Sequence, residues 1–200
     1  ILILPFGVWV AHSLQSMGKS RSWIEAALAL PLVLPPTVLG YYLLVGLGEK
    51  SFFGIPLVFS FTGILIASLI VNLPFAIQPI QRAFEAINPE IREAAQVSGL
   101  SKWQIFRLIE LPLAWRGITS AAVLTFAHTL GEFGVILMVG GAIPEETKTV
   151  SIAIYDKVQS FDTAGAGALS LILLSTSLVA IAISYGVFSR SHSTSRKWRG

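Results

Sequence analysis

NPEIREAAQVSGLSKWQIFRLIELP, residues 88–112, is a polar, cap-rich stretch set between two long apolar runs. Asn88 is followed by Pro89 and Glu90. Together they give an N-cap side chain, a proline at the first helical position and an acid at the positive end of the helix dipole. The helix this predicts runs to Ser98. Gly99 then supplies the left-handed residue that closes a helix, and Ser101 with Gln104 has capping-box spacing for a second helix, expected to end before Pro112. Two short helices meeting at an angle at Gly99 would present Ala94 and Ala95 with little side-chain bulk, letting a partner approach the backbone. On the residues alone, the stretch is as much an ordinary amphipathic hairpin as a docking device. In the hairpin reading, Ile105, Leu108 and Ile109 simply pack on neighbouring spans.

The flanking sequence sets the class. The chain has 200 residues, 54% of them hydrophobic and 12% charged, with a mean hydropathy of +0.72. That balance predicts an all-α integral membrane protein. About 20 apolar residues cross the hydrocarbon layer as a helix, and residues 24–47, 57–80, 117–141 and 164–188 meet that length. Residues 1–17 read as a fifth, truncated span, with the apolar part from Ile1 to Leu14. They do not read as a signal peptide, because no basic region precedes them. Eleven of the fourteen basic residues fall in alternate connections: Lys19 and Arg21, then Arg82, Arg92, Lys102, Arg107 and Arg116, then Arg190, Arg196, Lys197 and Arg199. Lysine and arginine are retained in cytoplasmic loops, so residues 82–116 and the basic tail 189–200 are expected in the cytoplasm. The net charge of +3 thus reflects topology, not nucleic-acid binding. The chain has no cysteine, which excludes disulfides and thiolate metal sites.

Pro31, Pro35 and Pro36 fall within the second span, and Pro74 and Pro79 within the third. Each removes a backbone donor and is expected to kink or unwind its helix. In lipid, a freed carbonyl is tolerated only where protein or enclosed water satisfies it, so the cluster points to a polar path inside the bundle. Thr125, His128, Thr129 and Glu132 recur at helical spacing and share one face of the fourth span. A glutamate at a helix centre costs at least about 2.5 kcal/mol unless paired, protonated or wet. His128 is its nearest local partner, in a structural or gating role. A carboxylate repels an oxyanion, whereas hydroxyls and helix N-termini suit one. Thr37, Asn72, Thr125 and Thr129 are therefore the candidates for a translocation path, with Asn72 also readable as a helix-packing hydrogen bond. Ser170, Ser177 and Ser184, with Ala180, form a small-residue stripe for close helix approach. Thr149 to Val158 is too short a pattern to assign.

Seven positions decide between docking device and hairpin. Glu93-Ala94-Ala95, Gly99, Ile109 and Leu111-Pro112 resemble, in identity and spacing, the EAA signature of importer-type ABC permeases. From Ile1 to Phe188 the chain is similar to a type I transmembrane domain with a MetI-like fold. Residues 30–41, LPLVLPPTVLGY, and residues 143–155 resemble molybdate permeases. Gly131-Glu132-Phe133-Gly134 is similar to an element shared with sulfate and thiosulfate permeases. The resemblance implies a homodimer in the cell membrane, cytoplasmic ABC ATPase subunits, and an external molybdate-binding protein. It makes Glu93, Ala94, Ala95, Gly99, Ile109, Leu111 and Pro112 the coupling segment. No cofactor is expected on this chain, since no glycine-rich run precedes a Lys-Ser or Lys-Thr pair at phosphate-loop spacing. Tungstate and sulfate are the alternative anions. A scaffold that recruits a partner without transport explains the prolines and the polar stripe poorly. An intramembrane enzyme built on His128 and Glu132 lacks a nucleophile or a metal set.

Overall fold

A computed structural model of the protein describes residues 2–48 and 54–193, with side chains to 182. Every regular element among the described residues is helical. The spine is α4, Phe61–Glu85 (α1–α3 are defined below), whose N-terminus is capped by the Ser60 hydroxyl accepting from the Gly63 amide at 3.2 Å. Its 25 residues extend about 37 Å, enough for a bilayer core. Pro74 and Pro79 lie inside it and do not interrupt it; of the expected kink or unwinding, unwinding does not occur.

Two apolar clusters divide α4 lengthwise. Ala67 and Val71 meet Leu47 of α3 (Pro36–Leu47) and Val135 and Val139 of α8 (Gly134–Gly140). Ile77, Ile80 and Phe84 meet Ala11 and Leu14 of α1 (Ile3–Gln15), and Ala114 and Ala121 of α7 (Leu111–Gly131). A polar seam holds α2 (Arg21–Val33) to the second half of α4. Arg21 donates to Glu25 at 2.7 Å and to Glu85, while Gln81 donates to Glu25 at 2.5 Å and to Glu85 at 3.0 Å.

Two of the predicted spans are broken. Residues 24–47 form α2 and α3, set 109° apart. Leu34 precedes Pro35, and Pro35 precedes Pro36. A pre-proline residue is excluded from the helical basin, and both adopt extended ψ values of 136° and 139°. Two consecutive extended residues end a helix; one proline alone would only have bent it. The span expected at 117–141 begins earlier, in a helix continuous from Lys102 to Gly131. It stops at Glu132 and restarts as α8 at 60°. Among the described residues, α4 and Thr163–Ala182 of α10 (Thr163–Ser193) are each long and apolar enough to span a membrane, and counting each bent pair as one span gives up to four. α1, with 13 residues, reaches only about 20 Å. The undecided stretch after residue 149 is α9 (Val150–Gln159), capped by Thr149. On α10, Ser170 is exposed, and Ser177 is half-buried and bonds its own Leu173 carbonyl at 2.8 Å. The side chain of Ser184 lies outside the described residues.

The α4–α7 crossing depends on Gly117. A Cβ there would lie 2.3 Å from the Ala83 Cβ and 2.6 Å from the Pro79 carbonyl oxygen, and the backbone oxygen cannot move aside. Gly117→Ala is expected to destabilise the protein by about 1–3 kcal/mol, seen as a lowered midpoint of thermal unfolding in detergent.

Candidate docking segment and translocation path

The docking helix is α5, Pro89–Val97, capped by the Asn88 side chain accepting from the Glu90 amide at 3.0 Å. Gly99 has φ +84°. Around it the Leu100 amide donates to the Ala95 carbonyl at 3.2 Å, and the Gly99 amide to the Gln96 carbonyl at 2.9 Å. This pair of bonds is the Schellman arrangement, which needs a left-handed residue at that position. Ser101 and Gln104 close the expected capping box. Glu93 and Ala94 are exposed, but Ala95 is 7% exposed and packs inward. Of the two alanines expected to face a partner, only Ala94 is exposed. Three apolar side chains of this stretch are exposed: Val97 at 90%, Trp103 at 65%, and Leu108, which the hairpin reading would pack on the spans, at 61%.

The second helix does not end before Pro112. α6, Lys102–Ile105, passes through a π-turn at Phe106–Glu110 into α7, and the Leu111 amide bonds the Phe106 carbonyl five residues back. The physical cause is Pro112. It has no amide for the Leu108 carbonyl, and its ring crowds that oxygen. Widening the preceding turn by one residue relieves the clash without breaking the helix. Of the signature residues here, Ile109 and Leu111 are half-buried and Pro112 is exposed, while Ile105 is buried.

The widened turn also turns Glu110 inward. It is 5% exposed. It receives Arg92 Nε of α5 at 2.5 Å and His12 Nε2 of α1 at 2.9 Å. Arg92 also donates to Gln15 Oε1 at 2.6 Å and to the Phe84 carbonyl at 2.8 Å. In the sequence Arg92 counted only as a loop charge and Glu110 as an unassigned signature spacer. Their partners lie up to 98 residues away, beyond any local pattern.

Deeper in the bundle, Asn72 links α4 to α7. Its Nδ2 donates to the Ser68 carbonyl at 2.8 Å, and its carbonyl oxygen faces His128 Nδ1 at 3.2 Å. That oxygen only accepts, so the His128 proton sits on Nδ1. The ring stacks on Phe75 at 4.0 Å. His128 Nε2 lies 3.7 Å from Glu132 Oε2. Glu132 is not at a helix centre, as its spacing implied. It occupies the break after α7, where its Oε1 accepts the Val135 amide at 3.2 Å and caps α8. Thr125 is buried, with no partner for its hydroxyl. The exposed Thr129 bonds its hydroxyl to the Thr125 carbonyl at 2.7 Å. With Glu132, Ser68 and Thr149 it lines a cavity of about 180 Å³. Thr37 is exposed at the second residue of α3 and joins none of these bonds.

The two helix breaks touch. A Cβ on Gly134 would lie 2.8 Å from the Pro36 Cβ, so the restart of α8 sits directly on the restart of α3. Residues 30–41 and 131–134, separate in sequence, therefore meet in the bundle.

This architecture defines a membrane-embedded transport subunit. Residues 3–192 match the family described as binding-protein-dependent transport system inner membrane component, and the chain belongs to that family. It is 45% identical over 170 residues to the molybdenum transport system permease protein ModB of Azotobacter vinelandii, covering 81% of this chain and 74% of that one. It is 35% identical over 191 residues to ModB of Escherichia coli K12, covering 90% and 83%. The fold is that of the crystal structure of a bacterial ABC transporter that imports the acidic polysaccharide alginate. There the TM-score is 0.77 at 18% identity, covering 94% of this chain and 72% of that one.

Gly99→Val puts a branched side chain into a left-handed residue. The space around a Cβ there is open, so the penalty is conformational, about 1–2 kcal/mol. Hydrogen exchange at the Leu100 amide is expected to quicken by about tenfold, while exchange in the middle of α4 stays unchanged.

Proposed function

We propose that this chain is the permease subunit of an ATP-driven importer of molybdate, with two copies enclosing the path. The observation that carries the reading is the capped, exposed α5, which presents Glu93, Ala94 and Gly99 at one end of a bundle containing two abutting helix breaks. A soluble ATPase seats on that end, in the cytoplasm together with the C-terminus. An external binding protein delivers the anion to the opposite end. ATP is hydrolysed on the separate subunit.

Broken helices line cavities in transporters because irregular backbone is stable in a membrane only where protein or water satisfies it. The contact of Pro36 with Gly134 supports a path beside α3 and α8, with Thr37, Asn72, Thr125 and Thr129 as its polar lining. Thr125 is favoured among them, since its buried hydroxyl has no partner among the described residues. His128 and Glu132 hold α4, α7 and α8 in register; a carboxylate committed to a helix cap is unsuited to binding an anion. Molybdate is placed ahead of sulfate, thiosulfate and tungstate by the likeness to molybdenum permeases over most of the chain.

The test is uptake of labelled molybdate into vesicles containing the whole complex, with excess tungstate or sulfate as competitor. ATP-dependent uptake that tungstate suppresses and sulfate leaves intact is expected. Ready displacement by sulfate would overturn the choice of anion, and uptake independent of ATP would overturn the importer.

A further inference from the structure

α5 is held to the bundle by an ion pair with one buried member: the Glu110 side chain is 7% exposed, against 24% for Arg92 and 42% for His12. Taking a carboxylate and a guanidinium from water is unfavourable unless their bonding positions are filled, and here they are filled from four elements. Glu110 accepts Arg92 from α5 on one oxygen and His12 from α1 on the other. Arg92 reaches past Glu110 to Gln15 on α1 and to the carbonyl of Phe84 near the end of α4. Because Gln15 Oε1 accepts from Arg92, its amide cannot flip, and its Nε2 is buried with no acceptor. Phe84 and Phe106 close on the His12 ring edge to face, at 5.7 and 4.6 Å. By contrast, the turn at Gly99 is exposed and held by local bonds, the backbone pair and the Ser98 hydroxyl on the Ala94 carbonyl.

We infer that Arg92 and Glu110 are positioning residues that make α5, α1 and the helix from Lys102 move as one body. A displacement imposed on α5 then reaches α1 and α4 through fixed, charge-assisted bonds and is not lost at the Gly99 turn. This rests on the permease reading above. Of the signature positions at the start of the segment, the exposed Glu93, Ala94 and Gly99 form the contact surface; the unassigned Arg92 and Glu110 carry the motion inward. Neither touches the anion path or the exposed face of α5.

The test uses the full complex in proteoliposomes, with ATPase subunits and molybdate-loaded binding protein, and compares Arg92→Gln, Arg92→Lys and Glu110→Gln with the unaltered chain. The readouts are co-purification of the ATPase, ATP hydrolysis without binding protein, and molybdate imported per ATP hydrolysed. Expected are normal co-purification and normal unstimulated hydrolysis, with import per ATP lowered about tenfold in Arg92→Gln. Arg92→Lys, which keeps the charge but not the fork to Gln15 and Phe84, should recover part of it. Unchanged import per ATP in Arg92→Gln overturns the inference. If that variant does not assemble, the same ratio in Glu110→Gln decides: lowered supports the inference, unchanged overturns it. Failure of the unaltered complex to import with ATP defeats the permease reading instead, which separates the two.

Discussion

A carboxylate enclosed where the docking helix meets the bundle sets the geometry around it. Glu110 is buried because Pro112 forces the preceding turn open. One extra residue in a helix rotates everything before it by about 100° relative to everything after it. That rotation brings the carboxylate inward toward α1 and α5. Once there its oxygens require hydrogen-bond donors, and His12 and Arg92 supply them from two directions. The position of α5 follows from where Arg92 can reach both Glu110 and the Phe84 carbonyl. A proline in the signature thus fixes the seat of a helix about twenty residues earlier in the chain.

A second constraint acts at the other cluster of α4. Leu34 and Pro35 are both pre-proline residues, so α2 must stop, and α3 restarts at a right angle to it. Opposite, α7 stops at Glu132, whose carboxylate satisfies the first free amide it can reach in α8. The absence of a side chain on Gly134 lets the two restarts touch. Each break would be unfavourable alone in a membrane interior. Placed together at Pro36 and Gly134, with Asn72 and His128 joining α4 to α7 beside Glu132, they set polar groups within an apolar bundle, the arrangement that a path for a charged solute requires.

Much of the docking segment was legible in the sequence, because caps are local. Asn88, Gly99, Ser101 and Gln104 each act on residues within five positions, and each does what its chemistry dictates. The class was legible for the same reason, from apolar run lengths and seven spaced positions. The broken spans were only half legible. Proline positions were evident, but a kink and a stop differ by whether one or two consecutive residues leave the helical basin. Reading Pro112 as a terminator failed because a helix can absorb a missing donor by widening a turn. Ala95 was misplaced because its burial depends on how Arg92 draws α5 inward. The Glu110 cluster was not legible at all, since a lone Glu, Arg, His and Gln with wide separations leave no periodic trace.

The inferred coupling requires α5 and the adjoining bundle helices to form one rigid body. The lack of native cysteine permits a direct measurement: spin labels on Ser16→Cys, just after α1, and Gln96→Cys, on the exposed side of α5, with distances followed by pulsed electron resonance. The complex would be studied without nucleotide, with ATP bound and in a trapped hydrolysis state. The account predicts one unchanged Ser16–Gln96 distance within a protomer in all three states, while the Gln96–Gln96 distance between copies shifts. A Ser16–Gln96 distance that changes with nucleotide would contradict it, because α5 would then be moving on the Gly99 turn and not with the bundle.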